Sequence, residues 1–538
     1  MEKSKDRNLA RAAIIVMTAI VLSRILGFLR TTLITNILSV DDKDAIFMAF
    51  QITDVMFMLL IGGSISSVLI PMLTRFISNG EEKEGWKAIS SFINVMFIAI
   101  TVLCGIGIIF AHQLIDLVAA GFGPAKAEVT VQVTRIMFPS VAFMMLTGLV
   151  NGVSNSYRRF AAAAYGSVIY NILCIISIIF LSRYGVKMVA VGILSSAVLY
   201  FLIQLIFALN ILKYYRPGIH FRNPDFKRLV LLSIPSLLAS SISQINILVS
   251  QSYNSFFSEG SVTALRNASD IWQLPYGIFA MGLGVAILPS LSEMLIKNDL
   301  DSYKRTLTKS LKSMLLVIIP AAIGLAVIGT PVASVIYKWS IGMKPAAIST
   351  TGQILTFFTI ALVSQSIVAI INRAYYANND TKTPLYIGVF SIALNALFCY
   401  LLFKLTNLDS AGMALAYSIS SAVYAFMMLF VLNRKMGGLK LNVLLIFIVK
   451  VITASLIMAV FLFAAKNLVP VEFTQTFSIK TKVIEILMLG LEIGTGLIIF
   501  MTAAILMKVE EALYLYTTVI GKVKRIFHRQ NVKEIGKM

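Results

Sequence analysis

The 538-residue chain is poor in charge. Only 13% of its residues are Asp, Glu, Lys or Arg, against 58% hydrophobic, and its mean hydropathy is +0.86. A soluble chain of this length would form several cores and carry about 25% charge, so a soluble multidomain protein is excluded. Histidine and cysteine occur three times each. Cys104, Cys174 and Cys399 all fall inside apolar runs, with no metal spacing and no disulfide framework, and read as small core residues. No phosphate-cradling glycine loop is present, which argues against an ATPase engine. Acidic or histidine-bearing loops of the kind an embedded glycosyltransferase would carry are also lacking. No cleavable signal peptide is expected, because Met1 to Arg7 lead into a run too long for a signal core.

What the chain has is long apolar runs. They recur at a length near 20 to 30 residues, whereas barrel strands would be about ten residues and alternating. The fold class is an all-α polytopic membrane protein with about fourteen transmembrane helices. The net charge of +21 would raise nucleic acid as a partner in a soluble protein. Here the basic residues gather in alternate connections, among them Arg75, Lys83 and Lys87, then Arg216, Arg222, Lys227 and Arg228, then Lys297, Lys304 and Arg305. That pattern follows the positive-inside rule, places both termini in the cytoplasm and leaves nucleic acid out. The connections near Arg183/Lys187 and Lys466/Lys480 are exceptions.

An internal repeat is visible. Span two ends Ile70-Pro71-Met72-Leu73 and span eight ends Leu288-Pro289-Ser290-Leu291, a phase of about 218 residues or six spans. An even number of spans gives two halves of the same orientation around a central cavity, as in parallel-repeat transporters. The expected organisation is an N-lobe over 1–220 and a C-lobe over 221–438. Two extra helices over 439–507 and a basic amphipathic cytoplasmic tail over 508–538 follow, the tail including Lys522, Lys524, Arg525 and Arg529.

Intramembrane polar residues cluster in the first two spans of each half. Arg24 and Arg30 lie in span one, in Ser23-Arg24-Ile25-Leu26-Gly27-Phe28-Leu29-Arg30, and Asp54 lies in span two. A cation in a span costs roughly 2.5–3.5 kcal/mol or more unless it faces water or finds a partner. Asp54 is the expected counter-charge of Arg30, while Arg24 has no partner in its own helix. Arginine suits phosphate because its planar fork binds two oxygens at once, so Arg24 is the strongest candidate for an anionic ligand. In span eight, Arg266 and Asp270 are four apart on one face, as an ion pair or as a charged cavity wall. Lys450 in span thirteen and Glu492 in span fourteen are a candidate pair across the extra helices. No metal site or catalytic set is expected.

The arginine stretch, followed by Asp44-Ala45, Ala49-Phe50, Gly62-Gly63 and Ile70-Pro71, resembles the opening of the MurJ (MviN) family. These are lipid II flippases of the multidrug/oligosaccharidyl-lipid/polysaccharide exporter superfamily. Span eight, with Glu259-Gly260-Ser261-Val262 and Gln273-Leu274-Pro275, is similar too, as is Asp380-Thr381-Lys382-Thr383-Pro384. The resemblance covers spans one to twelve. It implies a non-enzymatic flippase of the bacterial cytoplasmic membrane, a monomer that moves an undecaprenyl-diphosphate-linked peptidoglycan precursor outward by alternating access. Lipid II, membrane lipids and the wall-synthesis machinery are the implied partners. Arg24 and Arg30 match the family's diphosphate-binding arginines, and Arg266 joins them as a candidate. Spans thirteen and fourteen match its lipid-tail groove.

The chain departs from the family at several places. Thr31 follows the second arginine where an acid is common, and Phe57 or Met58 stands where span two often has an arginine. The usual Asp-Arg pair falls at Ser269-Asp270, so Arg266 either substitutes for the displaced cation or gives the cavity a different charge. The acidic sodium-site residues of some members align with Ser250 and Cys399. No cofactor is implied, and the driving force is the membrane potential or a monovalent cation. Other readings are a flippase for another polyprenyl-linked glycan, a cation exporter, or a wall-synthesis scaffold.

Overall fold

The computed structural model describes residues 2–61, 68–157, 159–339, 345–378, 380–439, 441–468 and 478–517. Gly62, Gly63 and the basic tail residues Lys522, Lys524, Arg525 and Arg529 lie outside this set. The first half of the chain contains α1 (Glu2–Ile37), α2 (Val40–Ile61), α3 (Ile70–Ser78), α4 (Glu82–Ile109), α5 (Ala111–Val118), α6 (Pro124–Ser156), α7 (Phe160–Leu181) and α8 (Val186–Ala208). The second contains α9 (Pro224–Asn254), α10 (Ser261–Pro275), α11 (Gly282–Ile296), α12 (Leu300–Tyr337), α13 (Pro345–Ala377), α14 (Lys382–Leu405) and α15 (Asp409–Lys435). Then follow α16 (Leu441–Leu468) and α17 (Ile479–Leu506). Eleven helices of the described residues are long and apolar enough to cross a membrane, so the full count of fourteen is not reached among them.

The helices begin where the local chemistry allows. Asn223 accepts from the backbone N–H groups of Asp225 and Phe226 at 2.8 and 3.1 Å, and Pro224 occupies the first turn of α9. A side-chain acceptor and a proline with no N–H to satisfy together start a helix cleanly. The six-span repeat has a counterpart in helix geometry. Val68–Leu69 is a π-turn leading into α3, which carries Pro71 in its first turn. Tyr276–Met281 is a π-helical stretch leading into α11, which carries Pro289. Both expected spans are therefore interrupted by a π element, as helices with inserted residues often are near functional sites.

The chain forms two compact units. One comprises Met1–Asp270, Ile336–Ile354 and Asp380–Ser420; the other comprises Ile271–Val335, Leu355–Asn379 and Ser421–Met538. In the first unit, Ile46, Met48, Val133, Phe138 and Ile193 are fully buried between α2, α6 and α8. Trp86, Phe92, Leu149 and Leu229 form a second cluster. In the other unit, Tyr303 donates to the Ala374 carbonyl at 3.0 Å and Tyr375 to the Met428 carbonyl at 2.9 Å. Such bonds satisfy hydroxyl groups where water is absent.

Close helix approach depends on glycine at one tight point between α9 and α14. A Cβ added at Gly388 would lie 2.1 Å from Ile242 Cδ1 and 3.1 Å from its Cγ1. Overpacking costs about 1–3 kcal/mol. Gly388→Val is expected to lower the thermal unfolding midpoint in detergent, and Ile242→Ala in the same chain to restore part of the loss.

Candidate functional site

The charged site of the first unit is built on α1, α2 and α10. Arg24 and Arg30 are six residues apart, about 9 Å along α1. Their surroundings differ. Arg30 is half-buried, with its guanidinium 5.1 Å from the Phe50 ring centre and 5.8 Å from that of Tyr170. Its Nε is buried and makes no hydrogen bond. Arg24 is exposed and joins no ion pair among the described residues.

Arg266 of α10 is the best-neutralised of the three cations. Its Nε lies 3.3 Å from Asp270 Oδ1, and its Nη1 lies 3.5 Å from Asp54 Oδ2. Asp54 was expected to neutralise Arg30; it forms its ion pair with Arg266 and acts on Arg30 only through space. Phe50 and Asp54 are one turn apart on α2; the ring takes Arg30 and the carboxylate takes Arg266. Aromatic faces attract a cation through their quadrupole but carry no negative charge. Arg30 and Arg266 stand beside two carboxylates, Asp54 and Asp270, and Arg24, six residues before Arg30 on α1, adds a positive charge with no ion pair among the described residues.

The same face of α1 continues into a set of interhelical contacts. Four residues after Arg24, the Phe28 ring lies 5.6 Å from the Tyr337 ring. Tyr337 is fully buried and donates its hydroxyl to the Asn267 carbonyl at 3.1 Å. Thr35 donates to Asn267 Oδ1 at 3.1 Å, and the Trp339 backbone N–H donates to Asn36 Oδ1 at 2.9 Å. Gln51 of α2 reaches the Gln244 carbonyl of α9 at 3.3 Å.

Asp44 ties this end together. Its carboxylate is 1% exposed and accepts from Lys126 Nζ at 2.6 Å, Gly260 N at 2.9 Å and Thr263 N at 2.9 Å, as well as from the Thr263 hydroxyl. It thereby caps the N-terminus of α10 from another helix, where a negative charge meets unsatisfied N–H groups and the positive end of the helix dipole. Gly260 has φ +86°, a left-handed geometry that glycine adopts without strain. The sequence displays Asp44 only as one acid of a short connection; the signal available was its place within the opening motif.

Two further features were not foreseen. Arg373 of α13 is half-buried in the other unit and forms no ion pair among the described residues; its side chain lies across Gly284, where a Cβ would sit 3.5 Å from its Nε. On α17, Lys482 and Glu485 form a buried ion pair at 2.9 Å. The candidate residues Lys450 and Glu492 are each half-buried, on α16 and α17, and Lys450 forms no ion pair among the described residues. A pair three apart on one helix forms without any interhelical register, which favours Lys482 with Glu485. Ser250 and Cys399 meet at 3.9 Å, with Asn395 donating to Ser250 at 3.4 Å and to the Asn246 carbonyl at 2.9 Å. No carboxylate stands in that contact set. Among the described residues no group of three or more His, Cys, Asp or Glu is placed to hold a metal ion.

Interrupted helices, an internal repeat and arginines held within spans define a polytopic transporter. Its fold is shared with a solved inward-facing multidrug resistance MATE family transporter of the MOP superfamily, at TM-score 0.67 and 15% identity over 80% of this chain and 99% of that one. Residues 36–484 match the family model for lipid II flippase MurJ, and the chain belongs to that family. A probable lipid II flippase MurJ of Rickettsia prowazekii (strain Madrid E) is 28% identical over 516 residues, covering 93% of this chain and 98% of the relative. The lipid II flippase MurJ of Burkholderia cenocepacia is 28% identical over 448 residues, covering 80% and 84%. A solved lipid II flippase MurJ in an inward closed conformation aligns at TM-score 0.73 and 26% identity, over 91% of this chain and 98% of that one.

Removing the charge of Asp44 strands Lys126 and uncaps α10. Breaking a buried pair costs about 3–5 kcal/mol. Asp44→Asn is expected to speed hydrogen exchange at the amides of Gly260 and Thr263. Unchanged exchange there would show that the carboxylate does not hold this turn.

Proposed function

We propose that this protein flips lipid II, the undecaprenyl-diphosphate-linked peptidoglycan precursor, from the inner to the outer leaflet by alternating access. The observation that carries the reading is the unbalanced charge of the arginine site. Arg24 is exposed and without an ion pair among the described residues, while Phe28, one turn away on the same face, is packed against Tyr337. A cation in this position is stabilised by an anion arriving from outside the protein, and a diphosphate supplies charge and oxygens in the geometry that guanidinium forks bind. Arg24 and Arg30 are the proposed headgroup contacts. Arg266, restrained by Asp54 and Asp270, is a third contact that is available when one of its carboxylates lets go.

The excess charge also gives a driving force. An inside-negative membrane potential contributes about 2.3 kcal/mol per charge per 100 mV. It would favour the empty, positive site returning to the cytoplasmic side, while a bound diphosphate reverses the sign of the load. A monovalent cation held at Ser250 and Cys399 is the weaker reading, since the groups that meet there are neutral. The protein is proposed to act as a monomer in the bacterial cytoplasmic membrane with both termini inside, alongside the wall-synthesis machinery. Residues 1–220 and 221–438 are proposed as the two lobes, and 439–507 as the helices that accommodate the prenyl tail, with 508–538 on the cytoplasmic surface.

The test is depletion with rescue in a strain that depends on this protein, scoring lipid II that reaches the outer leaflet. Hydrogen bonds to charged groups contribute about 1.5–3 kcal/mol. Arg24→Ala is expected to reduce flipping by about tenfold or more, and Arg24→Lys by less, because it keeps the charge and loses the fork. Normal flipping by a well-expressed Arg24→Ala chain would remove the proposed contact. Failure of the unaltered protein to replace a lipid II flippase would point to another polyprenyl-linked glycan.

A further inference from the structure

The connection between α8 and α9 takes no part in the arginine site, and it has a fixed shape that its charge alone does not require. Between Lys213 and Arg228 it carries five exposed cations, Lys213, Arg216, Arg222, Lys227 and Arg228. Its acid, Asp225, lies 3.6 Å from Arg75. None of the five cations joins an ion pair among the described residues. Like charges crowded on one short segment repel one another, and an anionic partner relieves that repulsion.

Three side chains of α4 hold the segment in place. Ser90 Oγ accepts from the Arg216 N–H at 3.2 Å, and Ser91 Oγ accepts from the His220 N–H at 3.0 Å. Asn94 donates to the Gly218 carbonyl at 2.9 Å and accepts from the Tyr215 hydroxyl. At the two ends, Ile211 and Phe226 are buried in one cluster with Trp86 and Phe92 of α4. Most of these hydrogen bonds go to the backbone of the segment, which leaves the charged side chains exposed.

The segment lies where the protein meets lipid. On α9, Lys227 and Arg228 come one turn before Leu231, and Leu231, Ile234 and Leu238 are all exposed. That spacing marks one face of a helix, and an exposed apolar face on a membrane-spanning helix is turned to lipid. On α4, Lys87 is the last charged residue, and Phe97 and Ile98 are exposed one turn after Asn94. The lipid-facing surfaces of both helices therefore start beside the segment. Phe221 is 63% exposed between His220 and Arg222, and Tyr215 is exposed next to Arg216. Cations interleaved with exposed aromatic rings suit the headgroup level, where the ring enters the apolar boundary and the charge meets phosphate.

Orienting a membrane protein takes positive charge in a connection but no fixed conformation. We propose that residues 213–228 form a docking surface for anionic phospholipid headgroups. Ser90, Ser91 and Asn94 of α4 hold the segment in the conformation that presents its cations to the bilayer surface. The inference does not depend on the cargo.

The experiment uses the full chain in bilayer discs. The native cysteines are buried, so Pro217→Cys, at an exposed position, takes a single fluorescent maleimide. The discs are phosphatidylcholine with the same minor fraction of either brominated phosphatidylglycerol or brominated phosphatidylcholine. Bromine quenches the dye at short range, so the ratio of the two signals reads which lipid gathers at the segment. Phosphatidylglycerol is expected to quench at least about twofold more, and molar salt to bring the ratio toward one. Lys213→Gln with Arg216→Gln and Arg222→Gln is expected to bring it to one while leaving the backbone bonds intact. Ser90→Ala with Asn94→Ala keeps every cation and is expected to lower the ratio part-way. Equal quenching in the parent, or an unchanged ratio in the triple variant, would overturn the docking surface. An unchanged ratio in Ser90→Ala with Asn94→Ala would overturn the role given to α4. Inorganic phosphate at matched ionic strength is expected to leave the ratio unchanged; a collapse would assign the segment to a free anion instead. If the triple variant does not reach the membrane, Arg222→Gln is judged by the same ratio.

Discussion

A guanidinium in a low-dielectric span needs a counter-charge or another source of stabilisation, and three of them meet that constraint differently here. Arg266 is held by Asp54 and Asp270. Arg30 rests on aromatic faces that lower the cost of burying a cation without cancelling its charge. Arg24 has neither. The proposed anion site rests on this gradient from a neutralised cation to an exposed one.

The same helices that carry the charges also carry these interhelical contacts. Phe28 and Thr35 continue the Arg24 face of α1, and Asn267 directly follows Arg266 on α10. A change in how α1 meets α10 therefore alters these contacts and the surroundings of the arginines together. Asp44 fixes one end of α10 through backbone N–H groups. Packed interfaces with discrete bonded arrangements are the physical basis of two-state transporters.

Much of this was legible from residues in line. Long apolar runs can only be helices in lipid, because each backbone group must be satisfied within its own segment. The repeat showed through Pro71 and Pro289, and the structure adds a π element before each. Arg266 and Asp270 were readable as a pair because i and i+4 share a helix face. Interhelical partners were not readable in this way. Asp54 lies as close in sequence to Arg30 as any acid in the spans, yet it reaches Arg266, 212 residues away. Asp44 looked like loop charge, and Lys482 and Glu485, at the start of α17, were not read as a pair, whereas Lys450 and Glu492 lie deeper in their helices.

Sequence by itself determined the fold class, the repeat, the family and the anomaly of cations in apolar helices. The family follows from the resemblance of short motifs and the others from composition or from period along the chain, and none depends on how helices are turned toward one another. Tertiary structure alone decided which arginine is neutralised, which is shielded and which is left exposed. Rotating a helix by one residue moves a side chain by about 100°, enough to exchange a carboxylate for a ring or for lipid. Charge balance in a membrane site is settled by that rotation.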